Sequence, residues 1–215
     1  MRSIGALRLL VRSSLVRASV TALAVAMPLA FPSLTRAADG DAVGMNLLAR
    51  PFSGNPNRVV VDGAYTYVAL DTGLELYDVT NLSRLVPVGR VDLPGVARDV
   101  LVAGSFAYVA DDEAGLQVID VSNPAAPVRV AALAVRGASA LALAGTTLYL
   151  ALGDERGNAG LAVVDVTRPA RPGLVGSVTL PNGALSIALR GTTALLGLGS
   201  RPFTAPLGIL AVDVS

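Results

Sequence analysis

One short phrase, G-L-x-V-x-D-V, recurs along this chain of 215 residues at a spacing of roughly four dozen residues or fewer. Three copies are almost verbatim and a fourth is degraded, and they span residues 73–79, 115–121, 160–166 and 208–214. A fixed period of this size is typical of a protein built from one supersecondary unit used repeatedly. We therefore interpret the chain one repeat at a time.

Each repeat contains four strand-like runs, which in the second copy cover residues 98–103, 106–110, 115–121 and 128–133. The runs are rich in apolar and β-branched residues and are bounded by Gly, Pro, Asn or Asp. A glycine separates the first two runs of every repeat, where a short hairpin requires positive φ. These glycines are Gly63, Gly104, Gly145 and Gly191. The pattern predicts an all-β fold, a β-propeller of about four four-stranded antiparallel blades.

The predicted blades cover residues 57–96, 97–137, 138–183 and 184–215, and the last stops after three strands. Residues 45–52 end like an outer strand, so we expect this N-terminal strand to pair beside residues 208–214 and complete the last blade. Such pairing would leave no open edge there. The alternatives are that the post-signal segment, residues 38–56, is a loose linker, or that the chain is a subunit or fragment of a larger propeller.

The N-terminal segment has the parts of a secretory signal peptide. Four arginines precede an apolar stretch at residues 18–30, and small residues follow around Ala37 and Ala38. The stretch is short for a bilayer span of about 20 residues, and Pro28 interrupts it. Residues 1–37 are therefore predicted to be removed on export to the periplasm, cell surface or exterior, with no stable membrane span remaining. The alternatives are an uncleaved anchor and an N-terminal core helix.

The composition argues against several kinds of chemistry. Without residues 1–37 the chain loses five of 17 basic residues and none of 16 acidic ones, which leaves a net charge of −4. A mildly acidic chain offers no basic stripe for phosphate backbones, so no nucleic-acid partner is expected. Because Cys and His are absent from the sequence, there is no thiolate, imidazole base or nitrogen–sulfur zinc site. No cofactor is expected.

The residues L-Q-V-I-D at positions 116–120 resemble the core of the LVIVD repeat, a motif of bacterial and archaeal exported proteins. The similarity extends to the strand at residues 106–111 and the turn at residues 121–124, and covers roughly residues 57–215. It decays in the fourth copy, where Leu195 replaces the strand tyrosine found as Tyr67, Tyr108 and Tyr149. The resemblance implies a β-propeller outside the cytoplasmic membrane, with no established chemistry and no catalytic residues to transfer.

The recurring aspartate of the phrase is interpreted as structural. An aspartate that closes a strand before a V-S/T-N turn can accept N–H bonds from that turn. A ring of four carboxylates around a cation is the alternative. The strand tyrosines are expected to pack between blades. The structural set comprises Gly73, Asp78, Gly115, Asp120, Gly160, Asp165, Gly208 and Asp213.

The candidate binding residues lie in the loops between the second and third strands, which lengthen along the chain. These loops should open on the same face as the loops leading into the next blade, and variable loops on a rigid scaffold commonly carry binding. A solvated rim would explain the same charges. The candidates are Asp71, Asp111, Asp112, Glu113, Asp154, Glu155, Arg156, Asn158 and Arg201, with Arg98, Asp99 and Asn182 close by. A calcium site at Asp111, Asp112 and Glu113 is one interpretation, although EF-hand spacing is absent.

Three hypotheses about function remain open from the sequence. The leading one is a non-enzymatic exported scaffold that binds another protein or a cell-envelope polymer. The rival is a carboxylate-based polysaccharide hydrolase or lyase, which requires two acids about 5 to 10 Å apart across a cleft. The third is a structural subunit that joins a second copy as a homo-oligomer.

Overall fold

The computed structural model of the chain describes residues 54–154, 156–199 and 208–215. All of them belong to the structural unit Thr35–Ser215. Within this part of the chain, 15 strands form four antiparallel sheets, and no helix occurs. Each sheet contains the strands of one repeat in sequence order, so each blade is a meander. The prediction of an all-β fold with antiparallel blades is confirmed.

The first blade consists of β1 (Pro56–Asp62), β2 (Tyr65–Leu70), β3 (Gly73–Asp78) and β4 (Val86–Asp92). The second consists of β5 (Ala97–Ala103), β6 (Phe106–Asp111), β7 (Gly115–Asp120) and β8 (Val128–Leu133). The third consists of β9 (Ala138–Ala144), β10 (Thr147–Gly153), β11 (Ala159–Asp165) and β12 (Gly173–Thr179). The fourth consists of β13 (Ala184–Arg190), β14 (Thr193–Leu198) and β15 (Gly208–Asp213).

The hairpin between the first two strands has the predicted backbone in all four blades. The φ angles of Gly63, Gly104, Gly145 and Gly191 lie between +57° and +59°. This left-handed region costs glycine little and other residues more. The prediction of positive φ at these turns is confirmed.

The glycine that opens the repeated phrase is required by packing within the blade. A β-carbon on Gly73, Gly115 or Gly160 would collide with a carbonyl oxygen of the outer strand or its end, on Val91, Leu133 or Val178. At Gly208 a β-carbon would meet nothing within 4 Å. The phrase therefore begins with glycine because the outer strand approaches the third strand too closely for a side chain.

Successive blades are held together by shared apolar cores. One core joins blades 1 and 2, a second joins blades 2 and 3, and a third joins blades 3 and 4. Tyr67, Tyr108 and Tyr149 are buried one in each of these cores. The prediction that these tyrosines pack between blades is confirmed. A smaller cluster of Val68, Leu70, Tyr77 and Leu85 covers the face of blade 1 turned away from blade 2.

The fourth blade ends differently from the others. Among the described strands, β15 pairs with β14 alone. The predicted closing strand at residues 45–52 lies outside the described residues, as does the predicted signal peptide. The face of blade 4 turned away from blade 3 carries Leu195 and Ile209, and Ile209 is 82% exposed. The described part of the chain includes no helix long and apolar enough to cross a bilayer.

Candidate functional site

The aspartates of the repeated phrase all make the same local hydrogen bond. In each blade the carboxylate accepts the backbone N–H of the residue two positions later, which starts the following turn. The pairs are Asp78–Thr80 at 2.8 Å, Asp120–Ser122 at 2.9 Å, Asp165–Thr167 at 2.8 Å and Asp213–Ser215 at 3.1 Å. Hydrogen bonds from the hydroxyl and amide two residues ahead lower the pKa of Asp78, Asp120 and Asp165. The recurring carboxylates therefore stabilise the backbone just after the third strand of each blade.

One end of the blades, here called the loop face, combines the second-to-third-strand loops with the loops that lead into a blade. Backbone hydrogen bonds connect the two kinds of loop in three blades. Asp112 N donates to Val96 O at 3.0 Å, and Gly153 N donates to Gly137 O at 2.7 Å. Gly199 N donates to Gly183 O at 2.8 Å. The candidate loops therefore open on the same face, as the repeat pattern predicts.

Asp111 organises the loop of blade 2 from a buried position. Its carboxylate accepts the backbone N–H groups of Gly95 at 2.9 Å, Ala114 at 3.0 Å and Glu113 at 3.1 Å. The side chain has no exposed surface. Three amide donors satisfy a buried carboxylate without a metal ion. Asp111 thus holds the loop against the segment that leads into the same blade.

The two neighbouring acids point to other partners. Arg98 donates from Nε at 3.0 Å and from Nη2 at 2.6 Å to a single oxygen of Asp112. Arg156 of the third blade donates to Glu113 at 2.9 Å, and both of these side chains are more than half exposed. The described residues contain no group of three or more acids placed to hold a metal ion. The calcium interpretation of Asp111, Asp112 and Glu113 therefore gains no support.

Asp154 closes its own loop in the third blade. It accepts the backbone N–H groups of Arg156 and Asn158, both at 2.9 Å, and the Asn158 side-chain amide at 2.6 Å. Burial acts to raise the pKa of Asp154, but the hydrogen bonds from Asn158 outweigh it and lower the pKa overall. Glu155 and Arg201 lie outside the described residues.

Asp71 joins the loop of the first blade to the segment that leads into that blade. It accepts the side-chain amides of Asn55 and Asn57, both at 2.9 Å, and these bonds lower its pKa. Asn57 Nδ2 also donates to Ala97 O in the second blade at 3.0 Å. Of the predicted binding residues that are described, all take part in such local bonds. The structure uses them chiefly to shape the loops.

A polar cleft of about 280 Å³ lies where the first strands of all four blades converge. Its walls come from the beginnings of β1, β5, β9 and β13, directly after the loops of the loop face. None of the seven predicted binding residues that the structure describes lines it. Arg98 and Asp99, which the sequence analysis placed near the binding face, line it together with Arg58 and Ser186.

A β-bulge at the same repeat position shapes this cleft in every blade. One residue near the start of each first strand has no partner on the second strand, so the register shifts there. Bulges redirect side chains and are common beside functional sites. The bulged residues are Asn57, Arg98, Ser139 and Leu185, and all of them line the cleft.

Two of the bulged side chains bind the next blade in the same way. Asn57 donates to Ala97 O. The Ser139 hydroxyl donates its one proton to Ala184 O, at 2.5 Å, and also lies 3.0 Å from Ala151 O. Ala97 and Ala184 each precede the bulge of the following blade. The bulged position therefore fastens one blade to the next wherever its side chain is a donor of suitable length.

The residue that directly follows the bulge is different in each blade. These residues are Arg58, Asp99, Ala140 and Ser186 in blades 1 to 4. Asp99 accepts the backbone N–H of Leu141 in the third blade at 2.9 Å and that of Val100 at 2.9 Å. Arg58 Nε lies 3.2 Å from Asp99 Oδ1. Burial raises the pKa of Asp99, against the opposing effects of the Leu141 amide and Arg58.

The chemistry of the cleft bears on the rival hypothesis of a polysaccharide hydrolase. Asp99 is the one carboxylate among the described residues that line it. A carboxylate mechanism requires two acids facing each other across the substrate. The described cleft therefore gives that hypothesis no support.

The bulged residues and the residues after them could have been found by aligning the repeats and looking for the positions where the copies diverge. Alanine precedes the bulge in three blades, at Ala97, Ala138 and Ala184, whereas the next two positions change in every copy. Divergence beside a constant residue is a signal for function on a repeated scaffold. The bulge itself has no signature in the sequence.

The meander sheets and the convergence of their first strands on one cleft define a repeat scaffold of the β-propeller type. The family model of the LVIVD repeat matches residues 53–93, 94–133 and 136–180, which together exceed half of the chain. The chain therefore belongs to the LVIVD-repeat family. No curated protein matches it.

Solved structures with similar folds include designed propeller-like proteins. The computationally designed Ika4 protein is 8% identical with a TM-score of 0.58, and the match covers 80% of this chain and 99% of that one. For the computationally designed Ika8 protein the identity is 7% and the TM-score 0.54, covering 73% and 45%. A chain in the S. cerevisiae complex of Dbp5 with Nup159, Gle1, IP6 and ADP gives 12% and 0.51, covering 73% and 44%. At such identities the likeness shows the fold alone.

Proposed function

We propose that this chain is an exported, non-enzymatic β-propeller scaffold that binds another protein or a cell-envelope polymer through its loop face. The single observation that carries the proposal is the cleft at that face. Its walls change from blade to blade at two adjacent positions, while the cores between blades repeat. A scaffold that keeps its cores and varies where side chains converge on a cleft has the design expected of a binding protein.

Export is supported by the sequence of the first 37 residues, with their arginines, short apolar stretch and small-residue site. Expression of the full chain with a C-terminal tag in a Gram-negative host tests this directly. We expect the mature protein in the periplasmic fraction, with its N-terminus at Ala38 or Asp39. Recovery of the uncleaved chain from the cytoplasm would contradict export.

Binding at the loop face is tested by site-specific photo-crosslinking in cells. A photoreactive phenylalanine analogue replaces Glu113, which is exposed on the loop face. The matched control replaces Leu82, which is 56% exposed in the loop after β3 at the opposite end of the blade. We expect adducts with protein or glycan from position 113 and none from position 82. Equal adducts at both positions, or none at either, would count against a binding face.

A second candidate, a subunit of a larger propeller, is favoured by one specific observation. The face of blade 4 turned away from blade 3 exposes Leu195 and Ile209 at repeat positions that are buried in the other three blades. Such a face is the kind on which a further blade packs. Analytical ultracentrifugation of residues 38–215 tests it, since a monomer at all concentrations would exclude a second copy as the source of that blade.

A further inference from the structure

We infer that the cleft binds a carboxylate group, with Arg58 as its principal ligand. This inference rests on the proposed function for the location of the binding face, and it names the chemical class recognised there. Intramolecular contacts occupy some of the hydrogen-bonding groups in the cleft and leave others available to a ligand.

The acceptors of the cleft are largely committed. Asp99 receives two backbone N–H groups and the nearby charge of Arg58. The buried carbonyl oxygens of Ala97 and Ala184, each one residue before a lining residue, accept hydrogen bonds from the side chains of Asn57 and Ser139. Among the side chains that line the cleft, a ligand that offers mainly hydrogen-bond donors would find few acceptors.

The donors are in surplus. The terminal nitrogens of Arg58 make no hydrogen bond to any described residue, and 58% of the side chain is exposed. Arg98 uses Nε and Nη2 on Asp112 and leaves Nη1 available. Ser186 of the fourth blade also lines the cleft and is exposed, and its hydroxyl has no partner among the described residues. A planar guanidinium fork and a hydroxyl match the two oxygens of a carboxylate.

Asp99 contacts Arg58 through Nε of the guanidinium group, at 3.2 Å from Asp99 Oδ1. The two terminal nitrogens make no hydrogen bond to a described residue, so they remain available as donors. The side chain of Asp99 is only 13% exposed and is held by Leu141 N and Val100 N, so its position is defined by the backbone of blades 2 and 3. This arrangement preorganises Arg58 for a ligand.

The size of the cleft limits the ligand. A volume of about 280 Å³ lies just below the range of typical small-molecule pockets, about 300 to 1,000 Å³. It accommodates one small organic acid or one acidic side chain, and it is too small for a folded chain or several sugar rings. Of its four apolar lining residues, Ala140 and Leu141 are buried and Leu185 and Ile187 are half-buried, so most of the accessible surface is polar.

The test uses purified residues 38–215 labelled with ¹⁵N, and it follows the Arg side-chain Nε–H resonances during titration. The probes are acetate, glutarate, a blocked Gly-Gly-Glu-Gly-Gly peptide, the same peptide with Gln, and inorganic phosphate. We expect saturable shifts with the carboxylates and none with the Gln peptide. Tighter binding of the Glu peptide than of acetate would assign the carboxylate to a partner protein, and the reverse order would assign it to a free acid.

The variant Arg58→Gln should bind carboxylates at least about tenfold more weakly, because it loses a charge-assisted hydrogen bond. Arg84→Gln is the matched control, since Arg84 is an exposed arginine in the loop after β3, at the opposite end of the blade. Both variants should keep the parent thermal midpoint. Equal loss in both variants, no saturable shift with any carboxylate, or tighter binding of phosphate than of acetate would overturn the inference.

The two proposals fail in different ways. Crosslinks from position 113 in cells, together with no carboxylate binding in solution, would leave the binding scaffold standing and remove the carboxylate assignment. Carboxylate binding that Arg58→Gln abolishes, together with no crosslinks, would leave a small-acid site on a chain without a macromolecular partner.

Discussion

The same repeat position is buried at the three junctions between blades and exposed on the face of blade 4 that is turned away from blade 3. Leu74, Leu116 and Leu161 occupy equivalent positions and are 0–1% exposed, whereas Ile209, at the fourth such position, is 82% exposed. The residues are similarly apolar and similarly placed in their strands. The difference shows that membership of a repeat does not bury a residue. At this position the residues that are buried are those that a following blade covers.

The largest effect on stability is expected when this position is truncated to alanine at a junction between blades. Truncation of the same position in blade 4 should have almost no effect. Leu116→Ala should lower the free energy of unfolding by about 2–5 kcal/mol, because it opens a cavity between blades 2 and 3. Ile209→Ala should change it by less than about 0.5 kcal/mol. Urea unfolding of residues 38–215 measures both. Similar losses in the two variants would mean that the face of blade 4 is covered in solution.

The next effect concerns the glycine that opens the phrase. Gly115 has a φ of +82° and faces the end of the outer strand, so Gly115→Ala should cost about 1–3 kcal/mol in strain, with the collision adding to it. Gly208→Ala meets open space and should be neutral or slightly stabilising. Thermal midpoints of the two variants provide the measurement. A large loss at Gly208 would place an outer strand beside β15.

A smaller effect is expected at the bulges. Ser139→Ala removes the hydroxyl that donates to Ala184 O and lies beside Ala151 O, and it should cost about 1–2 kcal/mol, since these carbonyls are buried. Ser186→Ala, at an exposed hydroxyl in the fourth blade, should stay within about 0.5 kcal/mol. The two variants can be compared by urea unfolding. Equal costs would show that Ser139 does not fasten blade 3 to blade 4.

The smallest effect is a pH dependence of stability, which should have opposite signs for Asp99, between blades 2 and 3, and for Asp71, in a loop of blade 1. The raised pKa of Asp99 means that its contribution to stability is present below the unfolded value of about 3.9 and is lost as pH rises through the folded pKa. The lowered pKa of Asp71 means the reverse, because its contribution is present above about 3.9 and is lost as pH falls.

Unfolding from pH 3 to pH 7 of the parent chain, Asp99→Asn and Asp71→Asn checks both signs. The stability of the parent relative to Asp99→Asn should fall as pH rises, and its stability relative to Asp71→Asn should increase. Parallel changes in the two comparisons would contradict the assignment of burial as the dominant influence on Asp99.

The repeated phrase predicted the strands of the second blade to within one residue at most ends, because alternating apolar residues and turn glycines are local signals. It also predicted the φ of Gly63 and its equivalents and the burial of Tyr67 and its equivalents. The loop acids were less informative. Asp111 and Asp154 stand out in the sequence by charge, yet the structure uses them to hold their own loops.

Arg98 and Asp99 were expected near the binding face, but the other cleft residues escaped prediction because their importance depends on two non-local facts. A β-bulge is a property of pairing between strands, and Asn57 and Arg98 carry no mark of it. Which nitrogens of Arg58 remain available depends on which groups the neighbouring blades bring beside it. Aligning the copies would have revealed the divergence at these positions, but it would not have placed them around one cavity.

Periodicity and turn chemistry were enough to establish the four meander blades, since hydrogen bonding within a blade joins residues close in the chain. Which faces are buried, which bulged side chains meet, and which donors remain available depend on contacts between blades about forty residues apart. Those contacts arise from packing of whole sheets against one another, and a linear pattern holds no record of how the sheets meet.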